Sequence, residues 1–389
     1  MLTLGGTGIE YRNFVDDGAG QVIRLSDDPQ RLRPLRKAEA FIVKNGDIPD
    51  GFYAYVAVRE NSEHLNSLPP TARIAIFPTE YGYMGGGDIM RMQPSRKAVR
   101  TLYRRAAKQN FFLLTERCNN YCLMCSQPPK KIDDSWIVNE VLSALPLIDQ
   151  STPEIGITGG EPTLLGDDLI RILLTAKNLL PSTALHILSN GRTFSNIEFA
   201  QKYASVNHPD IMVGIPIYSD LSHIHDYVVQ ADGAFDETIR GVLNLKKFKQ
   251  QVEIRVVVHK QTYKRLPQLA EFLSRNLTFV DHVALMGLEM TGFTKANLED
   301  LWIDPADYQE ELVQAALLLK NSGMNVSIYN HQLCLLDPKL WNLARQSISD
   351  WKNEYMPECQ GCSKMPNCAG FFSSAKLKYS KHIRPFLGA

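Results

Sequence analysis

The feature that most constrains the fold is a regular alternation of strand-like and helix-like segments across the middle of the chain. Six short runs of apolar or β-branched residues occupy residues 111–115, 154–158, 184–188, 211–217, 252–258 and 282–288. Longer amphipathic stretches typical of helices lie between them, among them residues 134–145, 168–180, 235–248 and 266–275. Parallel strands need crossover helices, so this alternation predicts a parallel α/β sheet.

Residues suited to catalysis or ligand binding directly follow each of the first three predicted strands. Cys118 comes after the first strand, Gly159 and Gly160 after the second, and Asn190 after the third. Active sites of barrels and open α/β sheets lie at the carboxyl ends of their strands. We therefore expect a TIM-type barrel or partial barrel over residues 106–331, with its site at that end of the sheet.

Two further regions flank this core. Residues 1–105 carry short apolar runs between turn residues and predict a small, mainly β N-terminal domain. The basic segment 96–108 is expected to be a helix that leads into the core. Residues 332–389 form a Cys-rich extension with little periodicity. It is too short for a large core of its own, so a metal site would explain how it holds together.

Composition excludes several classes of protein. The chain has 42 basic and 42 acidic residues, and this neutral balance argues against a bulk nucleic-acid binder. No apolar run is long enough to cross a membrane, and the first residues lack the pattern of a signal peptide. The seven cysteines fall in two clusters and one lone position. This distribution favours metal or redox chemistry over disulfides and predicts a cytoplasmic protein.

The first cysteine cluster, Cys118-x3-Cys122-x2-Cys125, places three thiols on one short segment just past a strand. A [4Fe–4S] cluster normally takes four thiolates, so three would leave one iron open to a substrate or cofactor. A zinc site that borrows a fourth ligand, or three thiols buried by chance, is also compatible with this spacing.

The segment Gly159-Gly160-Glu161-Pro162 follows the second predicted strand. Paired glycines let a ligand approach the backbone closely, and Pro162 suits the start of a helix. Glu161 offers a carboxylate to a cationic group. On its own the glycine pair would be an ordinary turn, but here it lies one strand–helix unit after the cysteine cluster, which indicates a shared site.

Together, the cysteine cluster and the glycine segment resemble the radical SAM superfamily. The resemblance implies a partial (β/α)6 barrel and a [4Fe–4S] cluster on Cys118, Cys122 and Cys125 whose open iron is chelated by S-adenosylmethionine (SAM). It implies that Gly159, Gly160 and Glu161 lie against the methionyl end of SAM and that Pro162 belongs to the same cofactor-binding segment. Reductive cleavage of SAM would then give a 5′-deoxyadenosyl radical that removes hydrogen from a substrate. One departure is Met124, at a position that is usually aromatic in this superfamily.

Further cofactor contacts follow from the same resemblance. Asn190, Ser219 and Arg255 lie at or near the third, fourth and fifth predicted strands, where similar enzymes contact the ribose or carboxylate of SAM. Arg255 suits a carboxylate because a guanidinium pairs with it bidentately, although a salt-bridged arginine fits the position equally well. Glu289, at the end of the sixth predicted strand, is either a pocket residue in contact with substrate or part of a surface loop.

The last three cysteines have the spacing Cys359-x2-Cys362-x5-Cys368, and the lone Cys334 would complete a set of four. Four thiolates suit either a [4Fe–4S] cluster or zinc. The spacing resembles the auxiliary-cluster tails of peptide-modifying radical SAM enzymes, the SPASM and twitch extensions. Three plus four ligands use all seven cysteines, which implies one auxiliary [4Fe–4S] cluster. A lone cysteine between leucines is, however, often a small buried apolar residue.

A third motif concerns the substrate. His225-Asp226 followed by Gly233-Ala-Phe235 recurs in radical SAM enzymes that act on peptides, which makes His225 and Asp226 candidates for substrate contact. A helix cap followed by a turn explains the same residues equally well. The sequence leaves both interpretations open.

Longer stretches resemble one family within the superfamily. Residues 115–129, 158–165, 282–289, 327–331 and 346–354 are similar to the His-Xaa-Ser system radical SAM maturases called HxsC, and the resemblance covers most of residues 110–375. It implies a ribosomally made substrate polypeptide with His-Xaa-Ser repeats and a companion radical SAM maturase. A ferredoxin or flavodoxin would act as electron donor, and no membrane or nucleic-acid partner is expected.

Three points remain open at this level. The N-terminal domain is a candidate docking site for the polypeptide, which would add a strand to an exposed sheet edge. A radical SAM enzyme that acts on a small molecule or RNA is the first alternative function. A zinc-stabilised adaptor without catalysis is the second.

Overall fold

The structure is a computed structural model that describes residues 4–15, 18, 20–346 and 354–387. The chain divides into two compact units. The first comprises Met1–Phe112, Ser135–Ile155 and Thr175–Thr183, and the second comprises Leu113–Asp134, Gly156–Leu174 and Ala184–Ala389. Segment 347–353, which belongs to one of the stretches that carry the family resemblance, lies outside the described residues. The three-part division at residues 105 and 331 stays a prediction.

An eight-stranded mixed sheet forms the first unit. Its strands are β1 Gly5–Thr7, β2 Glu10–Arg12, β3 Gln21–Ser26, β4 Glu39–Ile42, β5 Ala54–Val58, β6 Ile74–Phe77, β7 Ile89–Gln93 and β8 Ala98–Tyr103. They lie in the order β1-β8-β7-β3-β4-β5-β6-β2. The pairs from β3 to β6 are parallel, and the remaining pairs are antiparallel. The predicted mainly β N-terminal region is confirmed.

Both faces of this sheet are covered by apolar side chains. Ala40 and Ile42 of β4 pack into one apolar cluster, whereas Phe41 and Val43 pack into another. Successive side chains of a strand point to opposite faces, so two clusters along one strand mean that both faces are buried. This explains why the first unit reads as continuous short apolar runs instead of alternating ones.

The predicted helix over residues 96–108 is wrong. Residues Ala98–Tyr103 form β8, which pairs antiparallel with β7. Val99, Leu102 and Tyr103 are buried in that strand. β-Branched and aromatic residues fit a half-buried pleated surface, and here this fit outweighs the helix preference of the neighbouring lysines and arginines.

The second sheet of the protein has seven strands. Its strands are β9 Asn110–Leu113, β10 Glu154–Thr158, β11 Ala184–Leu188, β12 Ile211–Pro216, β13 Gln251–Val258, β14 His282–Gly287 and β15 Val326–Tyr329. They lie side by side in chain order, and the pairs from β11 to β15 are parallel. The predicted α/β partial barrel is confirmed. The seventh strand, β15, was not predicted, because four residues are too few for a clear pattern.

Helices connect these strands. The helices are α1 Arg33–Arg36, α2 Trp136–Ala144, α3 Asp167–Leu179, α4 Ile197–Ala204, α5 Ser222–Val229, α6 Ala234–Lys247, α7 Leu266–Asn276, α8 Phe293–Ala296, α9 Leu298–Leu301 and α10 Gln309–Asn321. The four predicted amphipathic stretches correspond to α2, α3, α6 and α7. In the described part of the chain, none of the helices combines the length and apolar character that crossing a bilayer requires.

The C-terminal region after β15 contains short 3-10 turns among its described residues. These are Pro338–Leu340, Pro357–Cys359, Met365–Asn367 and Ser373–Leu377. A small apolar cluster, with Met290, Leu335, Met356, Phe371 and Ile383 among its members, joins this region to the end of the barrel. The predicted cysteine-containing extension is confirmed as a region without a sheet or long helix of its own in its described part.

Three buried histidines predict acid-sensitive folding. Burial lowers the pKa of His225 and His331 to about 4 and that of His259 to about 3. In the unfolded chain each would bind a proton below about pH 6.5, so falling pH stabilises the unfolded state. We expect the free energy of unfolding to decrease from about pH 6.5 to pH 4, by on the order of 3 kcal/mol per histidine.

Denaturant unfolding of the cofactor-free protein across this pH range measures the effect. A His331→Gln variant should show a shallower decrease than the wild type, because one of the three groups no longer titrates. A free energy of unfolding that stays constant between pH 7 and pH 4 would contradict the prediction.

Candidate active site

The strand ends of the second unit surround a cleft of about 290 Å³. Cys118, Cys122 and Cys125 line it from the loop after β9, and Gly159 and Gly160 line it after β10. The following strands β11 to β15 and the residues just after them contribute Asn190, Tyr218, Arg255, Glu289 and Asn330. The structure thus brings residues from seven consecutive strands to one site, at the end of the sheet where the sequence predicted it.

The three thiols of the cleft are half-buried, and they are protonated in the absence of a cation. Burial raises the pKa of Cys118 to about 11 and that of Cys122 to about 12, and it also raises the pKa of Cys125. The neighbouring thiols add to the shift at Cys122. A bound metal would hold such groups as thiolates, because coordination replaces the proton.

Asp134 fastens the start of the cysteine loop. Its side chain is fully buried and accepts hydrogen bonds from the Thr115 hydroxyl at 2.8 Å, the Glu116 backbone N–H and the Arg117 Nε at 3.2 Å. These donors immediately precede Cys118. A buried carboxylate that satisfies several donors fixes their geometry strongly.

Arg192 fastens the middle of the same loop. Its Nη1 donates to the backbone oxygen of Asn119 at 2.6 Å and to the side-chain oxygen of Asn120 at 2.7 Å. Its Nε donates to Glu237 at 2.6 Å, and Asn190 donates to the Asn119 side chain at 2.6 Å. The sequence analysis missed Arg192, although it directly follows the Asn-Gly turn after β11.

The end of the loop is held by the segment after β14. The Phe293 backbone N–H donates to the oxygen of Cys125 at 2.8 Å, and the Asn297 side chain donates to the oxygen of Leu123 at 2.8 Å. Gly292, with φ +52°, allows this contact, since a Cβ there would lie 2.2 Å from the Cys125 oxygen. Both ends and the middle of the cysteine loop are therefore fixed by side chains and backbone of this chain alone.

The glycine pair lets the cysteine loop approach β10. A Cβ on Gly159 would lie 2.8 Å from the Thr115 oxygen, and one on Gly160 would lie 2.1 Å from the Arg117 oxygen. The Gly160 and Glu161 backbone N–H groups donate to these two oxygens at 2.7 and 2.8 Å. The glycines thus serve the fit between two loops of the site as well as the cleft they line.

Glu161 differs from its expected position. Its side chain is fully buried and does not line the cleft. One carboxylate oxygen accepts hydrogen bonds from the backbone and hydroxyl of Thr163 and from the Ser189 hydroxyl, and the other accepts from the Asn190 backbone at 2.6 Å. Burial raises its pKa against these hydrogen bonds. Glu161 ties the turns after β10 and β11 together, and Pro162 begins the 3-10 turn Pro162–Leu165 as the sequence suggested.

Arg255 lies on β13, lines the cleft and is held by a hydrogen bond to Glu253 of the same strand. Its Nη1 donates to Glu253 at 2.8 Å, and the other oxygen of Glu253 lies 2.7 Å from Nδ1 of His282. Burial alone would raise the pKa of Glu253, but hydrogen bonds from His186 and His282 and the charge of Arg255 hold it well below its usual range. Glu253 is therefore an anion inside the barrel that keeps Arg255 in one orientation.

The model of the radical SAM superfamily matches residues 112–273. These residues contain the first cysteine cluster, the glycine segment, the end of β9 and the four strands β10 to β13. We call residues 112–273, which match this model, the radical SAM segment. The three thiols, the two glycines and Arg255 of the radical SAM segment all face one cleft.

Individual proteins are similar over part of the chain. Fe-coproporphyrin III synthase from Methanosarcina barkeri (strain Fusaro / DSM 804) is 26% identical over 171 residues, which are 41% of this chain and 39% of that protein. The structure of SuiB from Streptococcus suis has 17% identity and a TM-score of 0.45, over 62% of this chain and 53% of that one. The structure of anSMEcpe with bound AdoMet has 18% identity and a TM-score of 0.44, over 56% and 62%. The chain thus spans less than two thirds of each of these proteins.

The radical SAM segment fits a [4Fe–4S] cluster and SAM. Three half-buried thiols on one fixed loop, with no disulfide among them, would supply three thiolates to a cluster and leave one coordination position open. The acidic residue Glu289 and the basic residue Arg255 line the cleft beside these thiols. Met124, which belongs to the cysteine loop, is buried in an apolar cluster with Tyr218 and Val228 and lines the same cleft.

Besides Glu161 and Pro162, three more of the predicted contact residues do not line the cleft. Ser219 is buried, and its hydroxyl accepts a hydrogen bond from the Leu221 backbone at 3.2 Å. His225 is buried, and its Nδ1 accepts from the Tyr218 backbone at 3.3 Å. The Asp226 carboxylate accepts from the backbone of Gly233 and Phe235 at 2.8 Å each, which is the helix-cap arrangement at the start of α6.

Tyr218 is a cleft residue that the sequence analysis missed. It follows β12, lines the cleft and packs between the rings of His225 and His259. Burial raises its pKa well above the usual value, so its hydroxyl stays protonated. Its only sequence signal was its place just after a strand.

The C-terminal region brings the other four cysteines together. Burial raises the pKa of Cys334 and of Cys359, and nearby Cys362 and Cys368 raise both further. The Leu333 backbone N–H lies 3.5 Å from the Cys368 sulfur, and that of Phe386 lies 3.3 Å from the Cys362 sulfur. Within the described residues, no group of three His, Cys, Asp or Glu side chains is arranged to hold a single metal ion.

Proposed function

We propose that the chain is a radical SAM enzyme that cleaves SAM reductively at a [4Fe–4S] cluster held by Cys118, Cys122 and Cys125. The observation that carries the proposal is the convergence of these thiols, the glycine turn and Arg255 on one cleft within the segment that matches the superfamily. When bound, the cluster and SAM supply a 5′-deoxyadenosyl radical that abstracts hydrogen. The surrounding residues position the cofactor and exclude water.

The predicted site residues have different roles in this proposal, inside and outside the cleft. The Arg255 guanidinium pairs with the cofactor carboxylate, and the Glu289 carboxylate faces its amino end or the substrate. Gly159, Gly160 and Asn190 form the wall on which the cofactor rests. Glu161, Pro162 and Ser219 do not line the cleft, and their role is to fix the turns that form this wall. His225 and Asp226 stabilise the segment that contains Tyr218.

Replacing Glu253 by glutamine should weaken SAM binding without unfolding the protein. Glutamine keeps the shape but removes the charge that holds Arg255, so we expect the dissociation constant for SAM to rise by about tenfold. Equilibrium dialysis with the cluster-loaded protein measures it. The exposed, helix-surface Glu271→Gln serves as the matched control and should leave SAM binding unchanged. Equal affinity in Glu253→Gln and wild type would contradict the role of Arg255.

For the substrate, we propose a ribosomally made polypeptide with His-Xaa-Ser repeats, modified together with a companion radical SAM maturase in the cytoplasm. A ferredoxin or flavodoxin would deliver the electron. The sequence stretches similar to His-Xaa-Ser system maturases support this proposal, and the four C-terminal cysteines support an auxiliary [4Fe–4S] cluster of the kind found in peptide-modifying relatives. Cys334, Cys359, Cys362 and Cys368 would be its ligands.

Hydrogen transfer tests the substrate directly. The cluster-loaded, reduced protein is incubated with SAM and a perdeuterated polypeptide of His-Xaa-Ser repeats. We expect deuterium in the 5′-deoxyadenosine and a mass change in the polypeptide. SAM cleavage without deuterium transfer or mass change would contradict the polypeptide substrate and leave the radical chemistry standing.

A small molecule is the second candidate substrate. The relative from Methanosarcina barkeri, 26% identical, is named a Fe-coproporphyrin III synthase, so a tetrapyrrole is the compound class it favours. The same reaction with a coproporphyrin in place of the polypeptide separates the two. Formation of 5′-deoxyadenosine that depends on the tetrapyrrole and not on the polypeptide would favour this candidate.

We also propose that the N-terminal sheet docks the polypeptide at an edge strand. Its two edges are β1 and β2, each three residues long, so an added strand would pair over a short stretch. Amide hydrogen exchange checks this proposal, since added polypeptide should slow exchange at residues 5–7 or 10–12. Unchanged exchange at both edges under saturating polypeptide would contradict edge pairing.

A further inference from the structure

A second cavity lies beside the active-site cleft, at the junction between the barrel and the C-terminal region. It has a volume of about 60 Å³. Met290, Trp302 and Tyr308 line it from the segments that follow β14, and Phe371, Ala375 and Tyr379 line it from the C-terminal region. Its walls are therefore mainly apolar and aromatic.

The cavity and the cleft share one wall. Gly287, Leu288 and Asn330 line both. The wall is thin because Gly287 has no side chain, and a Cβ there would lie only 2.5 Å from the Asn330 oxygen. It is fixed because the Asn330 side chain donates a hydrogen bond to the Gly287 oxygen at 3.3 Å. A substrate whose reacting atom lies in the cleft is therefore within reach of this cavity.

Polar groups at the cavity already make hydrogen bonds or a cation–π contact within the protein. The Tyr308 hydroxyl lies 2.9 Å from Nε2 of His331, and the Gln332 side chain donates to the Gly370 oxygen at 2.8 Å. The Lys378 ammonium lies 4.1 Å from the centre of the Trp302 ring, where a cation–π contact holds it. An occupant therefore meets apolar and aromatic surface and gains mainly from leaving water.

The size fits one side chain. A water molecule needs about 10–15 Å³ of such volume, so the cavity has room for about four waters, or for one branched aliphatic or phenyl group. The cavity lies between the cleft of the first three cysteines and the region of the last four. A chain of residues that extends from the cleft across Asn330 would place a neighbouring side chain here.

We propose that this cavity binds an apolar or aromatic side chain of the substrate polypeptide, close to the residue that reacts in the cleft. The inference rests on the proposed polypeptide function and adds a specificity site to it. The C-terminal region then selects substrate as well as carrying the four cysteines. Nothing in the sequence pattern had singled out Trp302, Ala375 or Tyr379 for this role.

Nonapeptides of three His-Xaa-Ser repeats test the proposal, with Xaa as glycine, leucine or phenylalanine. Their affinity for the full-length, cluster-loaded protein with SAM is measured by calorimetry. Burial of such a side chain should make the leucine or phenylalanine peptide bind at least about tenfold more tightly than the glycine peptide. Ala375→Phe fills the cavity and should abolish this preference while leaving the affinity for the glycine peptide and SAM unchanged.

One control variant and one alternative cavity-filling variant accompany this experiment. Lys376→Ala, at the exposed neighbouring position, should behave as wild type. If Ala375→Phe fails to fold or to hold its iron, Ala369→Leu on another part of the cavity wall replaces it. Equal affinity of the three peptides for wild type would overturn the proposal, and so would a preference that both filled variants retain.

Two capped single residues distinguish a failure of the cavity proposal from a failure of the proposed polypeptide substrate. N-acetyl-phenylalaninamide and N-acetyl-glycinamide are single capped residues, and their binding needs no polypeptide. If no nonapeptide binds but the phenylalanine compound binds and Ala375→Phe abolishes it, the apolar cavity is supported and the polypeptide substrate is contradicted. If neither the nonapeptides nor the capped residues bind, both proposals are overturned.

Discussion

Replacing Cys122 by alanine should remove one of the two proposed iron–sulfur clusters and abolish SAM cleavage. Burial and the neighbouring thiols raise the pKa of Cys122 to about 12, so a bound metal is what would hold it as a thiolate. A cluster with three protein ligands has none to spare. We expect iron to fall from about eight to about four atoms per chain and 5′-deoxyadenosine formation to fall at least about a thousandfold.

Cys368→Ala is the matched comparison. It removes a thiol from the C-terminal set, none of which lines the active-site cleft. Iron should again fall by about four atoms, while reductive SAM cleavage continues without substrate modification. Iron analysis and chromatography of the SAM products measure both variants. Undiminished SAM cleavage in Cys122→Ala would contradict the assignment of the first cluster, and full iron content in Cys368→Ala would contradict the second.

Gly160→Ala should disrupt the site although it removes no functional group. The added Cβ would lie 2.1 Å from the Arg117 oxygen and 3.1 Å from the Cβ of Cys118. The obstacle is backbone, so the cysteine loop must move away from β10. That movement breaks the hydrogen bond from Glu161 to Arg117 and displaces the first ligand. We expect SAM affinity to fall by about a hundredfold and the cluster to be lost on desalting.

Gly85→Ala is the control for this substitution. No atom lies within 4 Å of the Cβ that it would add, so alanine should be accommodated without movement. Iron content after desalting and SAM binding by equilibrium dialysis compare the two variants with wild type. Normal iron content and affinity in Gly160→Ala would show that the contact between the two loops does not define the site.

The sequence predicted the parts of the site that depend on spacing and on strand order. Parallel strands bring all their carboxyl ends to one edge, so Cys118, Gly160, Asn190 and Arg255 were expected together and are found together. It also predicted that Cys334 joins the distant C-terminal cysteines, from the count of thiols alone. Which ligands these cysteines bind stays a proposal.

Side-chain direction could not be predicted in the same way. Glu161 and Asp226 both looked available for a ligand, yet backbone N–H groups of neighbouring turns claim their carboxylates. Arg192 and Asp134 hold the cysteine loop through contacts with residues far along the chain or across a turn. Such contacts depend on the folded positions of several loops, and no local periodicity reports them.

Reductive cleavage of SAM tests the central claim most directly. The anaerobically reconstituted wild-type protein is reduced with dithionite in the presence of SAM, and 5′-deoxyadenosine is quantified against time and against Cys122→Ala. We predict steady formation of 5′-deoxyadenosine by the wild type and none by the variant. A colourless protein that holds zinc after reconstitution and forms no 5′-deoxyadenosine would contradict the account and favour a zinc-stabilised adaptor.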